Sequence, residues 1–186
     1  MKEIKTGLSA SYYTVPVLNS VHNAEDYLLE CIDVLEALQL TYSEANVIKA
    51  IWRTASKRVL NVSKSGVTDI YDMEKVSFFC AKIYKSSLES SASSEERFPV
   101  TISSVTGVVY PENTAQPPYV TGLTDVRNAL KLTKDEFNLV SVIWLAACKR
   151  VYVGCSMYPY TVYGASDRII LDTLSERLLE TAQNGD

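Results

Sequence analysis

The chain has 186 residues with 22 Asp and Glu against 18 Lys and Arg, giving a net charge of -4 and a pI near 5.1, and 47% of its residues are hydrophobic. This balance is ordinary for a soluble globular protein. It argues against a general nucleic-acid binder, which needs a basic face to neutralise many phosphates.

No run of about 18 apolar residues occurs, so no membrane span is expected. The opening "MKEIKTGLSASYYTVP" lacks the continuous apolar stretch of a secretory signal, so a cytoplasmic protein is expected. The four cysteines, Cys31, Cys80, Cys148 and Cys155, form no C-x-x-C pair, and the chain holds one histidine. Buried, reduced thiols are therefore expected, with no zinc site.

In chain order, the first helical pattern covers 23–39, where Asn23 can cap and Tyr27, Leu28, Cys31, Leu35 and Leu38 recur at helical spacing. "TYSE" at 41–44 has the capping-box form and predicts the start of a long helix containing "NVIKAIWRTASKR" (46–58). A third helix over 72–89 places Met73, Val76, Phe79, Cys80 and Ile83 on one stripe. "SSLESSASSEER" (86–97) begins as a helix end and becomes a linker. "FPVTISSVTGVVYPENTAQPPYVTG" (98–122) alternates Val, Ile and Thr with Pro and Gly and predicts extended segments.

The chain then repeats itself. A shift of 92 residues lays "ALQLTYSEANVIKAIWRTASKRV" (37–59) on "ALKLTKDEFNLVSVIWLAACKRV" (129–151), with about half the positions identical. Asp33 meets Asp125 upstream and Tyr71 meets Tyr163 downstream, and Ile170, Leu171, Leu174 and Leu178 mark a last helix over 165–182. The expected fold is mainly α: two tandem three-helix repeats packed as a pseudo-two-fold pair, with short extended segments before each repeat. The first repeat spans 1–90, a linker with extended segments 91–120, and the second repeat 121–186. Units of this size are marginal alone, which favours packing one against the other.

The repeats differ in charge. In the first, Asn46, Lys49, Arg53 and Lys57 share one narrow arc of the long helix, while Val47, Ile48, Ile51, Trp52, Ala55 and Val59 fill the opposite side. The second has Ser141 and Leu145 in place of Lys49 and Arg53. Like charges four apart cost a helix roughly 0.2–0.5 kcal/mol per pair, so the row needs something negative against it. Three readings stand: carboxylates of the chain itself, among them Glu30, Asp33, Glu44, Asp72 and Glu74, pair with the row, the row is only a solvated face, or it holds a bound phosphate that Arg53 would fork with Lys49 and Lys57 adding charge. Loss of the cations from one copy alone favours the ligand.

These residues also carry a resemblance. "ECID" at 30–33, "NVIK" at 46–49 with Arg53 and Lys57 at helical spacing, and "DMEKV" at 72–76 resemble a small bacteriophage family whose best understood member phosphorylates deoxynucleoside monophosphates without a Walker motif. The resemblance covers roughly 22–85, with the second repeat as a degenerate echo. It implies a nucleotide-binding protein acting as a nucleotide kinase, with Arg53, Lys49 and Asp72 in catalysis and Asn46, Lys57, Lys75 and His22 holding ligand. ATP and Mg²⁺ would be the cofactors, a phosphorylated nucleotide the partner, and the host cytoplasm the location, while a homo-oligomer stays open. The sequence departs from the family pattern where Asn23 follows His22 in place of Tyr and where Glu74 replaces a Lys.

Phosphoryl transfer needs charge neutralisation and alignment more than covalent work, and Lys49, Arg53, Lys57 and Lys75 could neutralise while Asp72, Glu30 or Asp33 held a metal. No phosphate-binding glycine loop of either common kind is present, so side chains and helix ends must do the holding. Tyr12, Tyr13, Tyr110, Tyr119, Tyr158, Tyr160 and Tyr163 could stack a base or cover helix ends. Two other readings stand beside the kinase. One is a non-catalytic protein that sequesters a nucleotide or nucleotide-derived signal. The other is an all-helical nucleotide pyrophosphohydrolase, for which only E-x-x-D at 30–33 speaks.

Overall fold

The computed structural model describes residues 11–93, 108–109, 121–153 and 162–185. The chain is mainly helical, with six α-helices and little strand among these residues. A 3₁₀ turn at Ser11–Tyr13 leads into β1 (Thr14–Val17), which pairs antiparallel with β2 (Tyr27–Glu30), and α1 (Cys31–Ala37), α2 (Tyr42–Leu60) and α3 (Asp69–Ser93) follow. The second half repeats the order: β3 (Val108–Val109) pairs with β4 (Thr121–Gly122), followed by α4 (Leu123–Leu130), α5 (Lys134–Val153) and α6 (Ala165–Asn184). Extended segments therefore precede each helical triplet.

One expected helix is shorter than its pattern. Of 23–39 only Cys31–Ala37 is helical, because Tyr27–Glu30 form β2 with Val15 lying opposite Leu29 in the register. Val15 and Leu29 are buried while Leu28 is 52% exposed, a period-two alternation that a helical stripe through Tyr27 and Leu28 cannot reproduce. Asn23 lies in the loop before β2, where its backbone and side-chain amides donate to Ser20 Oγ, and it caps no helix.

The long helices begin as their capping boxes require. Thr41 Oγ1 accepts from the Glu44 amide while Glu44 Oε2 accepts from the Thr41 amide at 2.8 Å, and Thr133 and Glu136 repeat the exchange at α5. α2 ends where Asn61 adopts a left-handed backbone with φ of 54°.

α3 packs along both α2 and α6, α6 also packs on α5, and α4 lies against β1. Val47, Ile48, Ile51, Trp52 and Ala55 of α2 are buried, as are Met73, Val76, Phe79, Cys80 and Ile83 of α3. Trp52 and Trp144, with Val34, Ile48, Val126 and Val140, line a void of only about 10 Å³, so the seam between the halves is close-packed. Cys31, Cys80 and Cys148 are buried free thiols. Burial pushes the Cys148 thiol up to about 11 and raises the other two further. Cys155, Tyr110, Tyr119, Tyr158 and Tyr160 lie outside the described residues, as does most of the 91–120 linker.

Among the described residues, two ion pairs join the halves. Arg150 forks Glu44 at 2.7 and 2.6 Å, and Arg58 forks Glu136 at 2.8 and 2.6 Å. The shift of 92 turns Glu44 into Glu136 and Arg58 into Arg150, so each capping-box glutamate receives the arginine near the end of the other half's long helix. The third helices obey a different shift. Buried Val76, Phe79, Cys80 and Ile83 are matched by buried Leu171, Leu174, Ser175 and Leu178, a displacement of 95. The expected match of Tyr71 with Tyr163 is therefore corrected: the loop before α6 is three residues longer than the loop before α3, and Tyr71 corresponds to Ser166.

Candidate functional site

The cationic row of α2 meets three different environments. Arg53 Nε donates to Asp72 Oδ2 at 3.1 Å and Nη2 to Asp72 Oδ1, while Nη1 donates to the Tyr13 hydroxyl at 2.7 Å. The side chains of Arg53 and Asp72 are 11% and 4% exposed, so this is a largely buried, two-pronged pair. Desolvation opposes the guanidinium charge, but the Asp72 carboxylate outweighs it and holds Arg53 above its ordinary range. Burial likewise raises the Tyr13 phenol, with the Arg53 contact opposing.

Lys57 Nζ reaches both oxygens of Asp69 at 2.9 Å, with both side chains nearly half exposed. Lys49 is partly buried and forms no ion pair among the described residues; its charge and that of Arg53 act on the nearby Cys31 thiol. Asn46 turns its amide back along the helix, donating to the Tyr42 carbonyl at 2.7 Å. Two of the three cations in the row are thus answered by the protein's own carboxylates.

An open groove of about 320 Å³ nevertheless runs past Arg53, bounded by Lys64, Gly66, Val67, Tyr71 and Lys75. The loop that leads into α3 shapes it. The Val67 amide donates to the Lys64 carbonyl at 3.2 Å across a turn in which Gly66 has φ of 74°, the left-handed setting that favours glycine. Thr68 then caps α3, its Oγ1 accepting from the Tyr71 amide at 3.2 Å. The first turn of α3 presents Tyr71, 45% exposed, with the Lys75 ammonium 4.8 Å from its ring centroid. Lys64 and Lys75 have no carboxylate partner among the described residues, so the groove keeps a positive excess after Asp72 neutralises Arg53.

Of the expected site residues, the structure brings Arg53, Asp72 and Lys75 together. Asn46, Lys49 and Lys57 do not line the groove. His22 lies in the β1–β2 loop, its imidazole so close to Gly122 that a Cβ there would sit 2.4 Å from Nε2. That loop is tied to the second half by Ser20 Oγ and the Val21 amide, which donate to buried Asp125 at 3.0 and 2.9 Å.

Lys64, Gly66, Val67 and Tyr71 were not among the expected site residues. The sequence did hold a signal for them: "KSGVT" is a glycine turn followed by a capping threonine directly before an apolar stripe. In the second half Leu145 stands at the place of Arg53 and is 40% exposed. Asp167 there corresponds to Asp72 by the shift of 95, and it accepts from the Gly164 amide at 2.9 Å at the start of α6. Ile170 and Ser166 take the places of Lys75 and Tyr71.

No model of a protein family, no curated protein and no solved structure matches this chain.

Proposed function

We propose that the first repeat binds a phosphorylated small molecule of the nucleotide class in the groove between α2, the 61–68 loop and α3. The observation that carries this reading is that two uncompensated ammonium groups, Lys64 and Lys75, share one open groove with an exposed aromatic ring, Tyr71. An anion with an aromatic base uses both features. The phosphate attracts the lysines, and the base takes the ring face that Lys75 now covers, a stacking contact worth roughly 1–3 kcal/mol. A volume of about 320 Å³ is at the small end of ligand pockets, which suits one mononucleotide.

Binding without turnover is the form that the geometry favours. Both oxygens of Asp72 accept from Arg53, so neither stands ready to hold a metal or take a proton. A groove of this size takes one nucleotide, whereas transfer from ATP needs two. The kinase reading stays as the second one, on the resemblance and on the proximity of Arg53, Asp72 and Lys75.

The second repeat serves in this proposal as scaffold, paired with the first about a pseudo-two-fold axis. The reciprocal Glu44–Arg150 and Glu136–Arg58 pairs support that pairing.

Calorimetric titration with a panel of nucleoside and deoxynucleoside mono- and diphosphates tests the proposal. Saturable binding is expected that weakens at least tenfold in Lys75→Ala and in Lys64→Ala with unchanged thermal midpoints, and that weakens with added salt. Binding left intact in both variants, or no binding to any member of the panel, would overturn it. Adding labelled ATP to the same mixtures separates retention from transfer, since diphosphate product appears only if the chain is a kinase.

A further inference from the structure

Both cross-repeat glutamates are buried, Glu44 at 0% and Glu136 at 3% side-chain exposure, but their arginines differ, Arg150 being 5% exposed and Arg58 38%. Glu44 is fully buried: Oε2 accepts from the Thr41 amide, the Thr41 hydroxyl and Arg150, while Oε1 accepts from Arg150 and from the Tyr163 hydroxyl. Tyr163 is itself 1% exposed and sits at the end of the longer loop before α6. Its phenol is held well above its ordinary range by burial first and then by the Glu44 charge, so it keeps its proton and donates a hydrogen bond to Glu44.

Glu136 has the same Arg58 fork and the same capping contact with Thr133, but no hydroxyl among the described residues donates to its Oε1. The loop before α3 is three residues shorter and supplies no tyrosine there. A cleft of about 660 Å³ opens instead, with the Glu136–Arg58 pair on one wall and Met73, Leu178 and Ala182 giving apolar surface. Lys134 stands exposed in the lining with no ion pair among the described residues.

We propose that this cleft is a second binding site, and that it takes a small hydroxyaryl molecule bearing an acidic group. Its hydroxyl donates to Glu136 Oε1 as Tyr163 donates to Glu44, its ring lies on Met73, Leu178 and Ala182, and its acid meets Lys134. The molecule shows its own precedent: of two equivalent glutamate–arginine pairs, the glutamate of one accepts a phenol hydroxyl and the other pair lines an open cleft. This site is separate from the groove at Tyr71 and does not depend on a nucleotide being bound.

The test is titration of the whole chain, followed by NMR, with 3-(4-hydroxyphenyl)propionate and with 3-phenylpropionate, which lacks only the hydroxyl. The hydroxylated acid should bind saturably, and its analogue roughly 10- to 100-fold more weakly, as expected for loss of a hydrogen bond to a charged acceptor. Ala182→Phe, which fills the cleft at a partly exposed position, should abolish binding while leaving the fold, read by circular dichroism, unchanged. Equal affinity for the two acids, absence of saturable binding at millimolar concentration, or binding that survives Ala182→Phe would each overturn the assignment.

Discussion

Arg53 is the residue on which the comparison of the two halves turns. The second half has Leu145 at its place, which invites Arg53→Leu as a harmless copy. The structure predicts otherwise, because Asp72 would be left with its carboxylate 4% exposed and unpaired. Breaking one partner of a buried pair typically costs about 3–5 kcal/mol, whereas replacing both by apolar groups is often neutral. Arg53→Leu should therefore lower the unfolding free energy by about 3 kcal/mol or more, and Arg53→Leu with Asp72→Leu should recover most of the loss. Urea unfolding of the two single variants and the double variant measures the coupling. The charge arc on α2 was legible from spacing, and so was Asp72 as a candidate partner. What the sequence could not supply was the rotamer that sends Arg53 to Asp72 and Tyr13, since a row of cations on a helix looks the same whether its partner is a carboxylate or a phosphate.

At the scale of elements, the strongest local signals were also the reliable ones. Both Thr-x-x-Glu sequences begin helices, and the stripes of α3 and α6 are buried as their spacing requires, apart from Ile170, which is partly buried. The segment 23–39 misled because its apolar residues satisfy period two as well as period 3.6 over a short stretch, and pairing with β1 decided between them. The third helices showed a shift of 95 only through burial, since a three-residue loop insertion leaves no mark in a comparison anchored on the long helices. The groove followed the same logic: its cations are spread over α2, a loop and α3, and the loop member Lys64 has no periodic relation to the others.

The capping threonines allow a comparison between equivalent elements. Thr41 Oγ1 both accepts from the Glu44 amide and donates to buried Glu44 Oε2, while Thr133 Oγ1 makes the amide contact with Glu136. Losing a cap costs typically about 1 kcal/mol within a range of about 0.5–2. Thr41→Ala should fall near the top of that range and Thr133→Ala nearer its middle, as read from denaturant midpoints with unchanged slopes.

For the whole molecule, the duplication has two outcomes in one chain. The helical framework is held across the halves by reciprocal Glu–Arg pairs and a close-packed seam around Trp52 and Trp144. The surfaces have diverged: among the described residues, a groove with Arg53, Lys64, Tyr71 and Lys75 lies on the first half, and a tyrosine, Tyr163, meets the Glu44–Arg150 pair while none meets Glu136–Arg58.

The most direct measurement of the central claim is a ¹⁵N–¹H NMR titration of the chain with a deoxynucleoside monophosphate at low salt. The account predicts saturable shifts concentrated at Arg53 and along 64–75, with the equivalent stretch of the second half, around Leu145 and 165–170, unmoved. Shifts spread evenly over both halves, or none at Tyr71 and Lys75, would contradict it.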